Sequence, residues 1–223
     1  MNSGVLIYSG GMDSTTLLYY LLHQNYHLKA LSFNYGQRHA KELAAAAAIC
    51  RKLDVPHQVV DLTAITGLIG GSSLTDPALP VPEGHYTGEN MKITVVPNRN
   101  MIMLSIAIGH AIALKYDAVA YAAHSGDHTI YPDCRPVFVE AMKQVAGLCD
   151  WHPVKIATPF IKMDKGDIAE LGLQLGVPFE LTWTCYNGRD RHCGKCGACQ
   201  ERREAFFKHG LADPIQYEDF GFK

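Results

Sequence analysis

Four of the chain's seven cysteines stand together at Cys185, Cys193, Cys196 and Cys199, spaced C-x7-C-x2-C-x2-C, with a glycine directly after Cys193 and another after Cys196. Four thiolates suit a tetrahedral zinc ion, and the glycines permit the tight turns that gather the sulfurs. An iron–sulfur cluster also favours closely spaced cysteines. With no ligand position left open, a closed structural zinc site is the simpler arrangement. His192 could substitute as a ligand, but a solvated neighbour is the plainer expectation. At the other end of the chain, Ser9-Gly10-Gly11-Met12-Asp13-Ser14 joins the apolar run Val5-Leu6-Ile7-Tyr8 to a helix-like stretch beginning near Thr15. Adjacent glycines let a ligand approach the main chain, and a helix start offers unpaired N–H groups to an anion. Ser9, Ser14 and Thr15 add hydroxyls, and Asp13 could hold magnesium or position a reacting group. This reads as a phosphate cradle, although six letters alone also describe a turn capping a helix. Neither Gly-x4-Gly-Lys-Ser/Thr nor Gly-x-Gly-x-x-Gly fits.

Two further groups carry possible chemistry. Pro97-Asn98-Arg99-Asn100 precedes an apolar helix pattern. Asparagine is an ordinary helix cap, which accounts for one of the two, whereas the Arg99 guanidinium offers forked donors to phosphate or carboxylate. The polar segment His124-Ser125-Gly126-Asp127-His128 leads into Tyr131-Pro132-Asp133-Cys134-Arg135-Pro136. Two histidines and two carboxylates at a strand tip suit a recognition surface better than a core.

The elements that must position these groups alternate. Strand-like segments at 4–8, 28–34, 58–62, 118–122 and 154–158 are separated by helical patterns at 14–23, 40–53, 101–115, 136–147 and 165–175, with a last helix at 200–209. The periodicity predicts an α/β fold, a parallel five-stranded sheet covered by helices on both faces, with ligands outside the carboxyl ends of the strands. Leu53-Asp54-Val55-Pro56 and Leu175-Gly176-Val177-Pro178 look like matching helix exits. We expect one body over 1–180, with residues 64–92 as a lid or substrate loop, and a small zinc-binding C-terminal segment over 181–223. A formal charge of −2 leaves no basic footprint for nucleic acid. No basic leader and no apolar run of about 18 residues point to export or a membrane span. Clustered cysteines then argue for metal in a reducing cytoplasm.

With strand before and helix after, the run at 9–14 resembles the pyrophosphate loop of the ATP pyrophosphatase (PP-loop) superfamily, whose members usually transfer AMP to a substrate oxygen. In combination with Asn34-Tyr35-Gly36-Gln37-Arg38-His39, Pro97 to Asn100, Tyr131 to Arg135, Thr184-Cys185-Tyr186 and His192 to Cys199, it resembles the 7-cyano-7-deazaguanine synthases over almost the whole chain. Nothing is carried over onto residues 67–91. The resemblance implies a Rossmann-like fold of the adenine nucleotide α-hydrolase type and an ATP-dependent ligase of queuosine biosynthesis. It would convert 7-carboxy-7-deazaguanine and ammonia to the nitrile through an adenylated carboxylate and an amide, using ATP and magnesium, with one structural zinc per chain. It places Tyr8, Ser9, Gly10, Gly11, Met12, Asp13, Ser14, Thr15 and Thr16 around the nucleotide, and Asp13, Ser14 and Arg99 at the reacting groups. Arg38, Asn98, Asn100, Asp127, Tyr131, Asp133 and Arg135 face the substrate, with Asp127 or Asp133 accepting the base N–H groups. Partners are small molecules, without nucleic acid or membrane, and a homodimer is suggested by the family alone. Ammonia is expected to arrive free, since no amidotransferase domain fits and position 2 is Asn. Cys134 could be a nucleophile, as in sulfur-transferring relatives, but no CxxC partner stands beside it. The alternatives are another adenylating PP-loop enzyme such as a tRNA thiolase, or a non-enzymatic ATP-binding zinc sensor.

Overall fold

A computed structural model describes residues 2–86 and 88–218; Thr87, within the expected loop, and residues 219–223, at the end of the expected C-terminal segment, lie outside the described residues. Five strands, β1 (Ser3–Ile7), β2 (His27–Asn34), β3 (His57–Asp61), β4 (Ala118–Ala120) and β5 (Lys155–Ala157), form one sheet in the order β3-β2-β1-β4-β5. Every pairing is parallel. β1 lies at the centre, where Val5 and Leu6 are both fully buried on opposite faces, as a strand covered on both sides requires. The edge strand β3 is the polar one, with Val59 exposed.

The helices are α1 (Met12–His23), α2 (Lys41–Lys52), α3 (Thr63–Thr66), α4 (Arg99–Leu114), α5 (Pro136–Ala146), α6 (Lys165–Gln174) and α7 (Gly197–Lys208). The period-two alternation of the strands sorts them into two layers. Val5, Leu31 and Val119 pack with Leu104, Ala107 and Ile108 of α4 and with Val139 and Met142 of α5. Leu6, Ala30 and Ala120 pack with Leu17 and Leu18 of α1, Ala46 and Ile49 of α2, and Ile168 of α6. Both expected helix exits close in the same way. Asp54 and Gly176 take positive φ, while Val55 N–H donates to Cys50 O and Val177 N–H to Gly172 O, both at 2.9 Å, the Schellman arrangement.

The strand order reverses between β1 and β4, so the carboxyl ends of these two strands open a crevice. Residues 64–92 do not float above it. Ser72, Ser73 and Leu74 are buried, Ser73 N–H donates to Ile93 O, and the segment ends in a 3-10 turn at Glu89–Thr94. Arg38 fastens this segment by donating to Asp76 O at 2.6 Å and Leu79 O at 2.7 Å. The C-terminal segment is fastened by Arg202, fully buried, which donates to both Asp213 oxygens, to Thr182 and Thr184 hydroxyls and to Phe179 O. α7 begins at Gly197 and so carries Cys199 on its first turn, earlier than the periodicity indicates, and it packs along α6.

Candidate active site and cysteine knot

At the crevice, the loop after β1 is held by its own hydroxyls. Ser9 Oγ and Ser14 Oγ lie 3.0 Å apart, Gly11 N–H donates to Ser9 Oγ, and Thr15 Oγ1 donates to Gly11 O at 2.7 Å. Gly10 has φ +83°, and a Cβ there would fall 2.4 Å from Glu42 O and 2.7 Å from Ala46 N, so only glycine lets α2 pack directly on the loop. No side chain caps α1. Its first N–H groups therefore remain open to an anion. Tyr8, Ser9, Gly11, Met12, Asp13 and Ser14 line the cavity. Thr15 and Thr16 turn away from it: Thr15 is buried against Tyr8 OH, and Thr16 sits against Gly172 of α6, where an added Cβ would be 2.7 Å from its Oγ1. Their side chains serve the α1 packing, while Gly10 contributes conformation to the loop.

One charged cluster spans the crevice. Asp13 Oδ2 lies 3.2 Å from Lys165 Nζ and 3.7 Å from His124 Nε2, and the latter is 3.4 Å from Asp127 Oδ2. Tyr86 OH donates to Asp127 Oδ1 at 2.9 Å, and Lys165 donates to Glu201 Oε2 at 2.5 Å. Lys165 opens α6, whose start is fixed by an Asp164/Asp167 capping box. Burial works against the Lys165 charge, but Asp13, Glu201 and Asp127 outweigh it and raise its pKa. Burial pushes the Glu201 carboxyl up, opposed by Lys165. Asp13 Oδ1, His39 Nδ1 and Tyr121 OH are buried cavity-wall atoms with no partner among the described residues. Buried polar atoms are normally satisfied, so three around one cavity mark the surface a ligand completes.

Arg99 forms the opposite wall, between the rings of Tyr35 and Tyr131 at 5.9 and 5.7 Å. Its burial opposes the charge, yet Tyr35, Tyr131, Asp133 and Cys134 hold it firmly protonated. Burial pushes the Tyr35 hydroxyl up to about 12 and the Glu42 carboxyl up to about 7, and holds His39 down at about 3. Glu42 therefore binds a proton on folding between its ordinary value of 4.5 and about 7, and stability contributed by the uncharged form is lost as pH rises through that window. Glu42→Gln should flatten the fall of thermal midpoint between pH 5 and 8 and raise stability at pH 8 by about 3 kcal/mol at most. An unchanged pH profile in that variant would show that Glu42 is ionised throughout.

The remaining expected substrate residues separate. Asn100, Asp127 and Tyr131 line the cavity, whereas Arg38, Asn98, Asp133 and Arg135 do not. Asn98 takes the N-cap position of α4 in a left-handed conformation and makes no capping bond. Asp133 does that work from a distant loop, accepting from Asn100 N–H at 3.0 Å. Arg135 donates to His128 O, and Arg38 is occupied by loop carbonyls as described above. Cys134 accepts from Asn100 Nδ2, and burial, then Asp127 and Asp133, raise its thiol well above the ordinary range, which disfavours a thiolate nucleophile. Among the polar cavity residues that the sequence reading did not assign to the site are Tyr35, His39, Glu42, Tyr86, Tyr121 and Lys165, and Glu201, which holds Lys165, was missed as well. His39 and Glu42 sit at the end of the 34–39 motif and just past it, a signal that was available.

The four cysteine sulfurs lie within 4.8 Å of one another, and all four residues are buried. Cys193 Sγ and Cys199 Sγ are 4.0 Å apart, close to the roughly 3.8 Å edge of a tetrahedron with 2.3 Å metal–sulfur bonds. Backbone N–H groups of Lys195 and Cys196 donate to Cys193 Sγ, the arrangement a thiolate favours. His192 is neither solvated nor a member of the group: it is buried, stacked on Trp183 at 4.4 Å, with Nε2 accepting from Thr184 N–H. The knot reaches the phosphate cradle through Trp183, whose backbone N–H donates to Gly10 O at 3.0 Å.

A parallel sheet with an uncapped glycine-rich turn at its switch point, facing a half-buried arginine and lysine, defines an ATP-using α/β enzyme of the PP-loop type. The solved structure of NMN synthetase from Francisella tularensis has the same fold, at 13% identity and TM-score 0.54, over 94% of this chain and 77% of that one. A family model described as "Queuosine biosynthesis protein QueC" matches residues 3–210, and the chain belongs to that family. Among its relatives, the 7-cyano-7-deazaguanine synthase of Alteromonas mediterranea is 58% identical over 96% of this chain and 98% of its own length. That of Methanoregula boonei is 55% identical over 96% and 98%. The family resemblance read from the motifs is thus borne out.

Proposed function

We propose that the chain converts 7-carboxy-7-deazaguanine, ATP and ammonia to 7-cyano-7-deazaguanine. The observation that carries this reading is the open α1 N-terminus, with Asp13 and Arg99 facing one cavity at the switch point. A carboxylate oxygen of the substrate attacks the α-phosphorus of ATP. The bond from that phosphorus to the bridging oxygen breaks, and pyrophosphate leaves with the electron pair. Ammonia adds to the acyl carbon, AMP departs, and the nitrogen loses a proton to give the amide. A second activation transfers AMP to the amide oxygen, and loss of that oxygen with AMP, as nitrogen gives up its last protons, leaves the nitrile.

The α1 N–H groups and Ser9 and Ser14 hydroxyls hold the departing phosphates, and Arg99 spreads their charge. The unpartnered Asp13 Oδ1 fits a hard cation, and magnesium held there would neutralise phosphate charge. The size and chemistry of the cysteine group fit zinc, held by Cys185, Cys193, Cys196 and Cys199, in a structural role. In this reading the C-terminal segment from residue 181 is a wall of the site, and residues 64–92 supply Tyr86 to it. Incubating the protein with carboxylated deazaguanine, ATP, magnesium and isotope-labelled ammonium should give a nitrile carrying the label by mass spectrometry. Unchanged substrate under those conditions would overturn the reading.

Base recognition falls to Asp127, the expected acceptor that lines the cavity. Asp127→Asn keeps the size but turns one acceptor into a donor facing another donor, which costs about 1–3 kcal/mol. The Michaelis constant for the deazaguanine should rise roughly tenfold to a hundredfold, with that for ATP little changed. Asp133→Asn should instead lower stability by about 1 kcal/mol through the weakened α4 cap and leave the Michaelis constant near that of the parent. The opposite pattern in steady-state kinetics would return the base edge to Asp133.

A further inference from the structure

Glu42, on the first turn of α2, lines the cavity with its side chain 12% exposed, and His39 lies beside it with its side chain 6% exposed. A carboxyl withdrawn from water normally meets a cation. Here Gln37 Nε2 donates to Glu42 Oε1 at 3.1 Å, and His39 Nε2 lies 3.5 Å from the same oxygen. Among the described residues no lysine or arginine pairs with this carboxyl, and Oε2 has no hydrogen bond. Gln37 is fixed in its orientation, since its Oε1 accepts from Tyr35 N–H and its Nε2 also donates to Phe33 O, both at 2.9 Å. A carboxamide at position 42 would accept from Gln37 equally well and escape the cost of desolvating a charge. What a carboxyl alone adds is the capacity to take up a proton.

His39 supplies a second acceptor. With its proton on Nε2, towards Glu42, the imidazole lone pair stands on Nδ1, which is buried in the cavity wall with no partner among the described residues. Burial, helped by Arg99, keeps this ring uncharged. Arg99, Tyr35 and His39 are the titratable groups that face Glu42, and the Tyr186 ring lies 5.5 Å from that of His39. A free carboxylate oxygen beside an imidazole lone pair suits a small cation carrying several N–H groups. Ammonium is the cation of that kind which the reaction consumes.

We propose that Glu42 and His39 form an ammonium seat, in which Glu42 is the base that frees ammonia for attack on the acyl-adenylate. This deepens the functional reading above and rests on it. Ammonium directs N–H groups at Glu42 Oε2 and His39 Nδ1. One proton passes from nitrogen to the Glu42 carboxylate, and the freed electron pair forms the carbon–nitrogen bond. The carbon–oxygen bond to AMP breaks with its pair leaving on the phosphate. The departing phosphate takes the second proton, so nitrogen remains as the NH2 of the amide. Glu42 then returns its proton to water. Burial moves its titration up to about 7, near the pH at which a base is both available and effective.

The test compares ammonium chloride with hydroxylamine as nucleophile. Glu42→Gln should exchange labelled pyrophosphate into ATP within about threefold of the parent, because that step precedes ammonia. Its formation of amide and nitrile from ammonium at pH 7.5 should fall about a hundredfold, the scale of a lost general base. The parent rate should rise with pH and level off above about 7, whereas the variant rate should climb about tenfold per unit towards pH 9, as solution supplies free ammonia. Hydroxylamine is uncharged at pH 7.5 and needs no base, so its capture as the hydroxamate should stay within about threefold of the parent. His39→Phe keeps a ring against Tyr186 and removes the lone pair, and it should raise the Michaelis constant for ammonium about tenfold with exchange retained. Use of ammonium within threefold of the parent by Glu42→Gln, exchange or hydroxamate formation that falls as far as ammonium use, or an unchanged Michaelis constant for ammonium in His39→Phe would overturn the proposal. Absence of exchange by the parent enzyme would instead overturn the functional reading on which it stands.

Discussion

Asp13→Asn and Ser14→Ala should each yield a folded protein that turns over more than a hundredfold more slowly than the parent. Neither side chain belongs to the apolar layers. Asp13 presents one oxygen to Lys165 and His124 and leaves the other buried with no partner among the described residues, while Ser14 Oγ is bonded within the loop to Ser9 and donates to Gly11 O. Both groups act where charge develops as pyrophosphate departs. Loss of about 3 kcal/mol of transition-state stabilisation is the scale set by removal of one such contact, and it corresponds to more than a hundredfold in rate. Circular dichroism and thermal midpoints would establish that the fold is kept, and single-turnover rates would give the loss. Activity within about threefold of the parent in both variants would remove this loop from the phosphate site.

Purified protein should contain one zinc per chain and no visible chromophore, and Cys196→Ser should unfold the C-terminal segment. Structural zinc sites contribute about 10–16 kcal/mol in small metal-folded domains, as much as the whole stability of an ordinary domain. Among the described residues, few apolar side chains surround this knot beyond Val81, Trp183, Tyr186, Ala198, Ile215 and Tyr217, so the metal carries its packing. Limited proteolysis should therefore cut near residues 185–200 in the variant and spare the parent. Activity should fall with it, because Trp183 and Glu201 reach the phosphate cradle from this segment. Iron with acid-labile sulfide in place of zinc would reopen the iron–sulfur alternative.

The sheet was legible because parallel strands buried on both faces show as short apolar runs, and the five expected segments fall on the five strands within a few residues at each end. The cysteine group and the phosphate loop were legible because each is a local pattern whose geometry follows from spacing. What stayed hidden depends on tertiary meeting. Lys165 at a helix start and Glu201 in a charged helix both look like solvated residues until α6 and α7 pack and aim them at Asp13. The cap of α4 shows the reverse error: Asn98 has the right type and place, but the partner comes from Asp133 across the fold. Arg38 and Arg135 were expected at the substrate from the family resemblance, and in the structure both donate to backbone carbonyls of neighbouring loops.

The most direct measurement is the exchange of labelled pyrophosphate into ATP by the parent enzyme, with and without 7-carboxy-7-deazaguanine. Activation of the carboxylate by AMP transfer requires exchange that depends on this compound, needs magnesium and proceeds without ammonia. Exchange that is absent with the carboxylated deazaguanine, or equally fast without it, would contradict the account.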